Sequence, residues 1–359
     1  MEYIEYIDEG EYVTLYRMYG AGAIAEIPRT AAGKPVKALA DHLFAAEPSV
    51  LYKKERIKRV FPDGETCGYM DAESPSADAA PGRGALSGTS IEIIRIPEGV
   101  ERIGNYAFYG CSSLREVSFP STLKQIGHGM FNGCGKVSRL NFSEKEEQEA
   151  GMQLPSENIR SGAADTDVWQ TPAGMKEVLD AVSNEIEAVS FRRGAEQWRL
   201  TFPEYYEEGK ENTPARIIEI VYHGTGHQYR NCFLNRKIQF DRYDEVFPLA
   251  AAQERAETCI SIIRNRLRRG PAPGKEWGGR YIDYLRSESD LLLDSILKER
   301  EYDPVAELKI LEQADFFTSN IIDAFIEEAS SQGRSDAVIF LMDVKRRRFG
   351  AAKRSRYEL

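Results

Sequence analysis

Histidine, tryptophan and cysteine are scarce in this chain: four, three and five copies among 359 residues. Five cysteines is an odd and sparse set, so no disulfide framework is expected. The opening MEYIEYIDEGEYVTLY has no basic segment followed by an apolar one. A secretory leader is therefore not expected, and reduced thiols in the cytoplasm are the simplest reading. No apolar run approaches the roughly 20 residues that a membrane helix needs. Walker loops, dinucleotide fingerprints, serine-nucleophile motifs and paired-carboxylate motifs are all missing, so no catalytic residue, metal ligand or cofactor is assigned. Basic residues are outnumbered, and the net charge of -10 argues against a general nucleic-acid binder, because neutralising phosphates needs a basic face. With 42% hydrophobic and 29% charged residues, the chain reads as globular and long enough for two or three domains.

The chain does hold a repeat. Ile91–Phe119 and Leu114–Phe142 are copies offset by 23 residues. Ile96-Pro97 falls on Phe119-Pro120, Ile103-Gly104 on Ile126-Gly127, Phe108 on Phe131, and Gly110-Cys111 on Gly133-Cys134. A fixed period of this length predicts a solenoid, in which each coil buries its apolar face only against its neighbours. Leu114, Val117 and Phe119 alternate with Arg115, Glu116 and Ser118, as on a short strand with one face inward. Val100/Ile103 and Leu123/Ile126 make a second short strand, Gly104 and Gly127 suit a corner, and Phe108 and Phe131 are core wedges. Cys111 and Cys134 share one repeat position and read as small buried hydrophobes.

The order I-G-x-x-x-F followed by F-x-G-C-x-x-L-x-x-V-x-F-P resembles the BspA-like leucine-rich repeat of bacterial proteins. Ile27-Pro28, Gly33-Lys34-Pro35-Val36, Leu39 and Phe44 resemble that family's opening coil, with Ala40 standing where later coils have glycine. Ile57, Val60, Phe61 and Pro62 resemble a further, degenerate strand end. The resemblance spans about residues 10–142. It implies a short leucine-rich-repeat solenoid over 1–145. Glycine, alanine and serine without an apolar period read as an inserted loop at 63–89, the stretch 146–171 reads as a linker, and helical spacing makes 172–359 a mostly α-helical domain, an α+β protein in all. The region from about 172 also looks like one that accompanies such repeats in some Firmicutes proteins. It ends in an ankyrin-like helix pair at about 303–350. The resemblance implies protein–protein interaction without catalysis, and adhesion at a cell surface as an alternative that the missing leader opposes.

Stacking coils lines outward residues into columns: Ile93, Glu116, Arg139; Arg95, Ser118, Asn141; Glu92, Arg115, Ser138. Ladders of this kind are the usual binding surface of solenoids, so these nine positions are the candidate site for a protein partner. Alternating charge that merely keeps a sheet face solvated is the competing explanation.

In the second half, helical spacing links Val178, Leu179, Val182, Ile186 and Val189. It predicts one long helix over Phe247–Arg269, another over Arg280–Glu299, and a final hairpin capped by Thr318 and broken at Gly333. His223-Gly-Thr-Gly-His227-Gln-Tyr229-Arg230-Asn-Cys232 is the densest group of reactive types. It is a candidate anion cradle through Gly224, Gly226 and Arg230, or a metal site through His223, His227 and Cys232. A tight turn with Tyr229 and Phe233 packed inward is the leading reading. The run from Lys345 to Arg356 holds seven basic residues and reads first as a solvated helix end.

Overall fold

The 23-residue offset reappears as hydrogen-bonded register. The computed structural model describes residues 3–47, 49, 51, 53–62, 69–71, 84–144, 174–212, 217–234, 237–299 and 301–349. The linker expected at 146–171, most of the loop at 63–89 and the tail beyond 349 lie outside the described residues. The chain divides into two compact units, Met1–Gln197 with Phe202–Gln239, and Trp198–Thr201 with Phe240–Leu359.

The first unit begins with strands β1 (Tyr3–Asp8), β2 (Val13–Tyr19), β3 (Ile24–Glu26), β4 (Thr30–Ala31), β5 (Lys34–Leu39), β6 (Ile57–Pro62) and β7 (Tyr69–Asp71). The repeat supplies β8 (Ile93–Arg95), β9 (Arg102–Ile103), β10 (Glu116–Phe119), β11 (Gln125–Ile126) and β12 (Arg139–Ser143). After it come α1 (Met175–Asp180), β13 (Ile186–Arg192), β14 (Ala195–Phe202, whose Trp198–Thr201 belong to the second unit), β15 (Tyr206–Asn212), β16 (Ile217–His223), α2 (Gly226–Arg230), β17 (Phe233–Leu234) and β18 (Lys237–Ile238). Two sheets draw strands from the repeat. One runs β14-β13-β12-β10-β8-β3, with parallel pairs Glu116↔Arg139, Glu116↔Ile93 and Ile24↔Ile93. The other runs β11-β9-β5-β2-β1-β6-β7, and its parallel steps Ala38↔Arg102 and Gln125↔Arg102 again follow the coils. Residues 24–39 therefore join both ladders.

Alternation decides which side chains go inward. Leu114, Val117 and Phe119 are buried, as are Ile94, Ile96, Leu140 and Phe142. Phe44, Phe108 and Phe131 form a row of rings 6.1 and 5.7 Å apart, and Phe119 stacks on Phe142 at 5.3 Å. Each such side chain contributes about 1.5–3 kcal/mol of burial. Cys111 and Cys134 sit in this interior, their thiols facing the carbonyls of Phe44 and Phe108. The neighbouring Cys134 sulfur, together with burial, pushes the Cys111 thiol far up, which suits an inert hydrophobe. The corners explain the glycines. A Cβ on Gly104 would overlap Asp41 and Ala40, and one on Gly127 would overlap the Gly104 backbone. Ala40 stands next to Gly104 in this column and donates its own N–H to the Leu15 carbonyl.

Two expectations for the first unit change. β6 pairs antiparallel with β1 (Ile4↔Val60), so Ile57–Pro62 is a meander strand rather than a degenerate coil, and β7, inside the expected loop, pairs with β6 (Phe61↔Met70). The helical spacing at 178–189 holds only through α1; Ile186 and Val189 lie in β13, parallel to β12 (Arg139↔Glu187, Asn141↔Val189). The physical reason is the open edge of β12, whose backbone groups need partners more than a marginal helix needs extension. Arg193 and Gly194, both at positive φ (53° and 80°), turn the chain back into β14 and end the parallel stack.

The second unit holds α3 (Phe240–Glu245), α4 (Phe247–Gln253), α5 (Ala256–Arg268), α6 (Lys275–Ser287), α7 (Ser289–Lys298), α8 (Pro304–Gln313), α9 (Ser319–Ser331) and α10 (Ser335–Phe349). Both expected long helices are broken: one where Glu254 and Arg255 turn extended, the other at Glu288. Thr318 caps α9 through Ile321 N–H, Gly333 takes φ 70°, and Asp303 caps α8 ahead of Pro304. Helices thus concentrate in the C-terminal half and mixed sheets in the N-terminal half, an α+β arrangement.

Candidate interaction surface

The three outward columns are in register. Ile93, Glu116 and Arg139 are hydrogen-bonded neighbours across β8, β10 and β12, as are Arg95, Ser118 and Asn141. The third column is tied by backbone N–H groups: Arg115 donates to the Glu92 carbonyl and Ser138 to the Arg115 carbonyl. None of the nine is buried; Glu92, Arg95, Arg115 and Ser138 are exposed and the other five half-buried. Charges along the columns pair between strands. Arg95 meets Glu26 at 2.6 Å, Arg139 meets Glu187 at 3.1 Å, and Asn141 Nδ2 donates to Glu116 Oε1 at 2.8 Å and to Ser118 Oγ at 3.4 Å. These cross-strand contacts hold long side chains in fixed positions, which lowers the ordering cost of binding. Ile24, 47% exposed, extends the first column with an apolar end.

Two features of the coils escaped the sequence reading. On the second sheet, Glu101 meets Lys124 at 2.6 Å and Lys37 at 3.7 Å, and Lys124 holds the Glu101 carboxyl below its ordinary range. Beside it runs a groove of about 460 Å³ lined by Asp41, Arg102, Asn105 and Gln125. At the next corner His42, Tyr106 and His128 form a ring column with spacings of 5.2 and 5.3 Å, and Tyr109 stands beside it, 48% exposed. His42, Tyr106 and Gly129 occupy that corner at φ 58°, 53° and 65°. Only the last is a glycine, so the shared conformation had little sequence signal.

The reactive group at 223–232 is taken apart by the fold. Arg230 is buried, and four of its five N–H groups meet carbonyls: Nε to Leu179 (3.0 Å), Nη1 to Pro203 (2.6 Å) and Gly226 (3.1 Å), Nη2 to Asn184 (2.8 Å). Its guanidinium lies 4.9 Å from the Tyr205 ring, and burial draws its pKa down to about 10. It clamps four backbone segments and does not present itself to an anion. His223 faces Glu208 at 2.8 Å, His227 stacks on Tyr222 at 3.7 Å, and Cys232 donates to Gln228 carbonyl. The three candidate ligands do not converge; among the described residues no group of three or more His, Cys, Asp or Glu is placed to hold a metal ion. Tyr229 is fully buried and Phe233, half-buried, stacks on Phe202 at 6.3 Å, but the expected tight turn is the short helix α2.

The basic run also finds partners. Lys345 pairs with Asp323, Arg346 with Asp343 (2.7 Å), Arg347 with Glu312 (2.8 Å) and Arg348 with Asp315 (2.6 Å). Deeper in this unit lies an ion network without sequence signal. Arg266 grips buried Asp244 at 2.8 and 2.9 Å while Tyr281 donates to the same carboxylate at 2.8 Å. Glu307 takes Arg264 and Arg268 together, the latter at 2.9 Å. Burial pushes the Glu307 carboxyl up, but the two guanidiniums outweigh it and hold it below the ordinary 4.5.

Among the described residues no helix is long and apolar enough to cross a membrane. Residues 82–152 match the family described as BspA type leucine rich repeat region (6 copies). No curated protein and no solved structure matches the chain.

Proposed function

We propose, from the premise that this chain carries a BspA-type leucine-rich repeat, that it is a non-catalytic protein–protein interaction scaffold. Its binding surface is the exposed ladder of a short leucine-rich-repeat solenoid, formed by Glu92, Ile93, Arg95, Arg115, Glu116, Ser118, Ser138, Arg139 and Asn141. The observation that carries this reading is the in-register stacking of three columns, all of them open to solvent at least in part. The partner is a protein with a mixed-charge face, and the scaffold works in the cytoplasm, a compartment that keeps thiols reduced. The dispersal of His223, His227, Arg230 and Cys232 onto separate partners favours this reading over an anion or metal module.

Affinity capture from the source cell's lysate tests it, comparing wild type with Glu116→Lys/Arg139→Glu. The double variant reverses two charges at paired positions while the buried positions Val117 and Leu140 stay as they are. Partners held by wild type and lost by the variant support the ladder; partners held equally by both refute it.

A further inference from the structure

We propose that two copies of this chain associate through the hairpin β15–β16, with β16 of each copy pairing antiparallel about a two-fold axis at Ile220. The hairpin is a two-stranded sheet of its own; among the described residues no third strand pairs with it. A bare two-stranded hairpin is marginal in water, and a third strand or a packed face is what normally stabilises it. This one also displays Tyr206 (59% exposed), Ile220 (53%) and Tyr222 (36%), large apolar surfaces gathered on one small element.

Its two edges differ in kind. β15 reads Tyr206-Glu207-Glu208-Gly209-Lys210-Glu211-Asn212. Charged residues and a glycine blunt such an edge against pairing. β16 reads Ile217-Ile218-Glu219-Ile220-Val221-Tyr222-His223, β-branched and aromatic residues with a single carboxylate. This is an unguarded edge beside a guarded one.

The charge pattern selects a second copy as the occupant. Antiparallel self-pairing about Ile220 sets Ile220 against itself, Glu219 against Val221, Ile218 against Tyr222 and Ile217 against His223. No like charges face each other, and the isologous contact closes as a dimer. Self-pairing of β15 about Glu208 would set that carboxylate against its own copy, and pairing about Gly209 would set Glu207 against Glu211. The result of the β16 pairing is a four-stranded sheet, independent of the leucine-rich-repeat ladder.

Sedimentation of the full chain at micromolar concentration tests the proposal, with circular dichroism confirming that each variant is folded. Wild type should run at twice its 40.5 kDa. Ile220→Lys should weaken the dimer by about tenfold or more, as expected when a charge enters the centre of an apolar strand pair. Ile339→Lys, at a position 70% exposed on α10, should leave it unchanged. Register is read by cross-linking over the wild-type background: Ile220→Cys should join to itself, while Glu219→Cys and Val221→Cys should join best when mixed. A wild-type chain that stays at 40.5 kDa overturns the proposal. So does a dimer indifferent to Ile220→Lys, or Glu219→Cys joining to itself as readily as to Val221→Cys.

Discussion

Replacing Arg230 separates a structural clamp from a ligand site. The guanidinium supplies four hydrogen bonds to the carbonyls of Leu179, Pro203, Gly226 and Asn184 inside the first unit. Truncation to alanine leaves those acceptors facing a cavity, and a buried polar group left without its partner costs about 1–3 kcal/mol. Taking the low end for each of the four gives about 4 kcal/mol, a large share of the roughly 5–15 kcal/mol that stabilises a typical domain. For a unit of this size that corresponds to a fall in Tm of about 10 °C. Arg230→Lys keeps the charge but replaces a planar fork with a point donor, so it should recover less than half of the loss. Thermal unfolding followed by circular dichroism at neutral pH reads both variants. An Arg230→Ala protein within about 1 kcal/mol of wild type would refute the clamp, since surface substitutions fall in that range.

Gly127→Ala should destabilise by about 1–3 kcal/mol, because its methyl meets the Gly104 backbone, whereas Gly135→Ala, with open space around its Cβ, should be neutral by the same unfolding assay. Glu307→Gln should cost about 3–5 kcal/mol by leaving Arg264 and Arg268 without their shared carboxylate. The folded carboxyl is depressed, so its contribution is present above the ordinary 4.5 and lost as pH falls below it; the gap between wild type and Glu307→Gln should narrow in acid. A fragment of residues 1–145 should be insoluble, since it loses β13 from the edge of β12, and a soluble monomer in size-exclusion chromatography would contradict this.

The repeat was legible because three local signals agree: period, alternation and corner glycines. Leu114, Val117 and Phe119 need no distant information to point inward, and the columns follow once the offset is known. Elements whose form depends on a distant neighbour were not legible. Ile186 and Val189 fit a helix by spacing, yet the vacant edge of β12 makes them strand. The breaks at Glu254–Arg255 and Glu288 carry neither proline nor glycine. Asp244, Arg266 and Tyr281 look like ordinary surface residues in sequence, and only packing of α3, α5 and α6 brings them together. Arg230 reads in sequence as part of an anion cradle beside two glycines, but its partners are backbone carbonyls, three of them distant in sequence.

A scaffold of this kind must touch its partner with the ladder face. Photo-crosslinking in the source cell tests this contact most directly, with a benzophenone amino acid at Arg95 or Arg115 on the columns, or at Asn132, exposed on a corner away from them. The same protein adduct should form from Arg95 and Arg115 and none from Asn132. An adduct from Asn132 alone, or none from either column position, would contradict it.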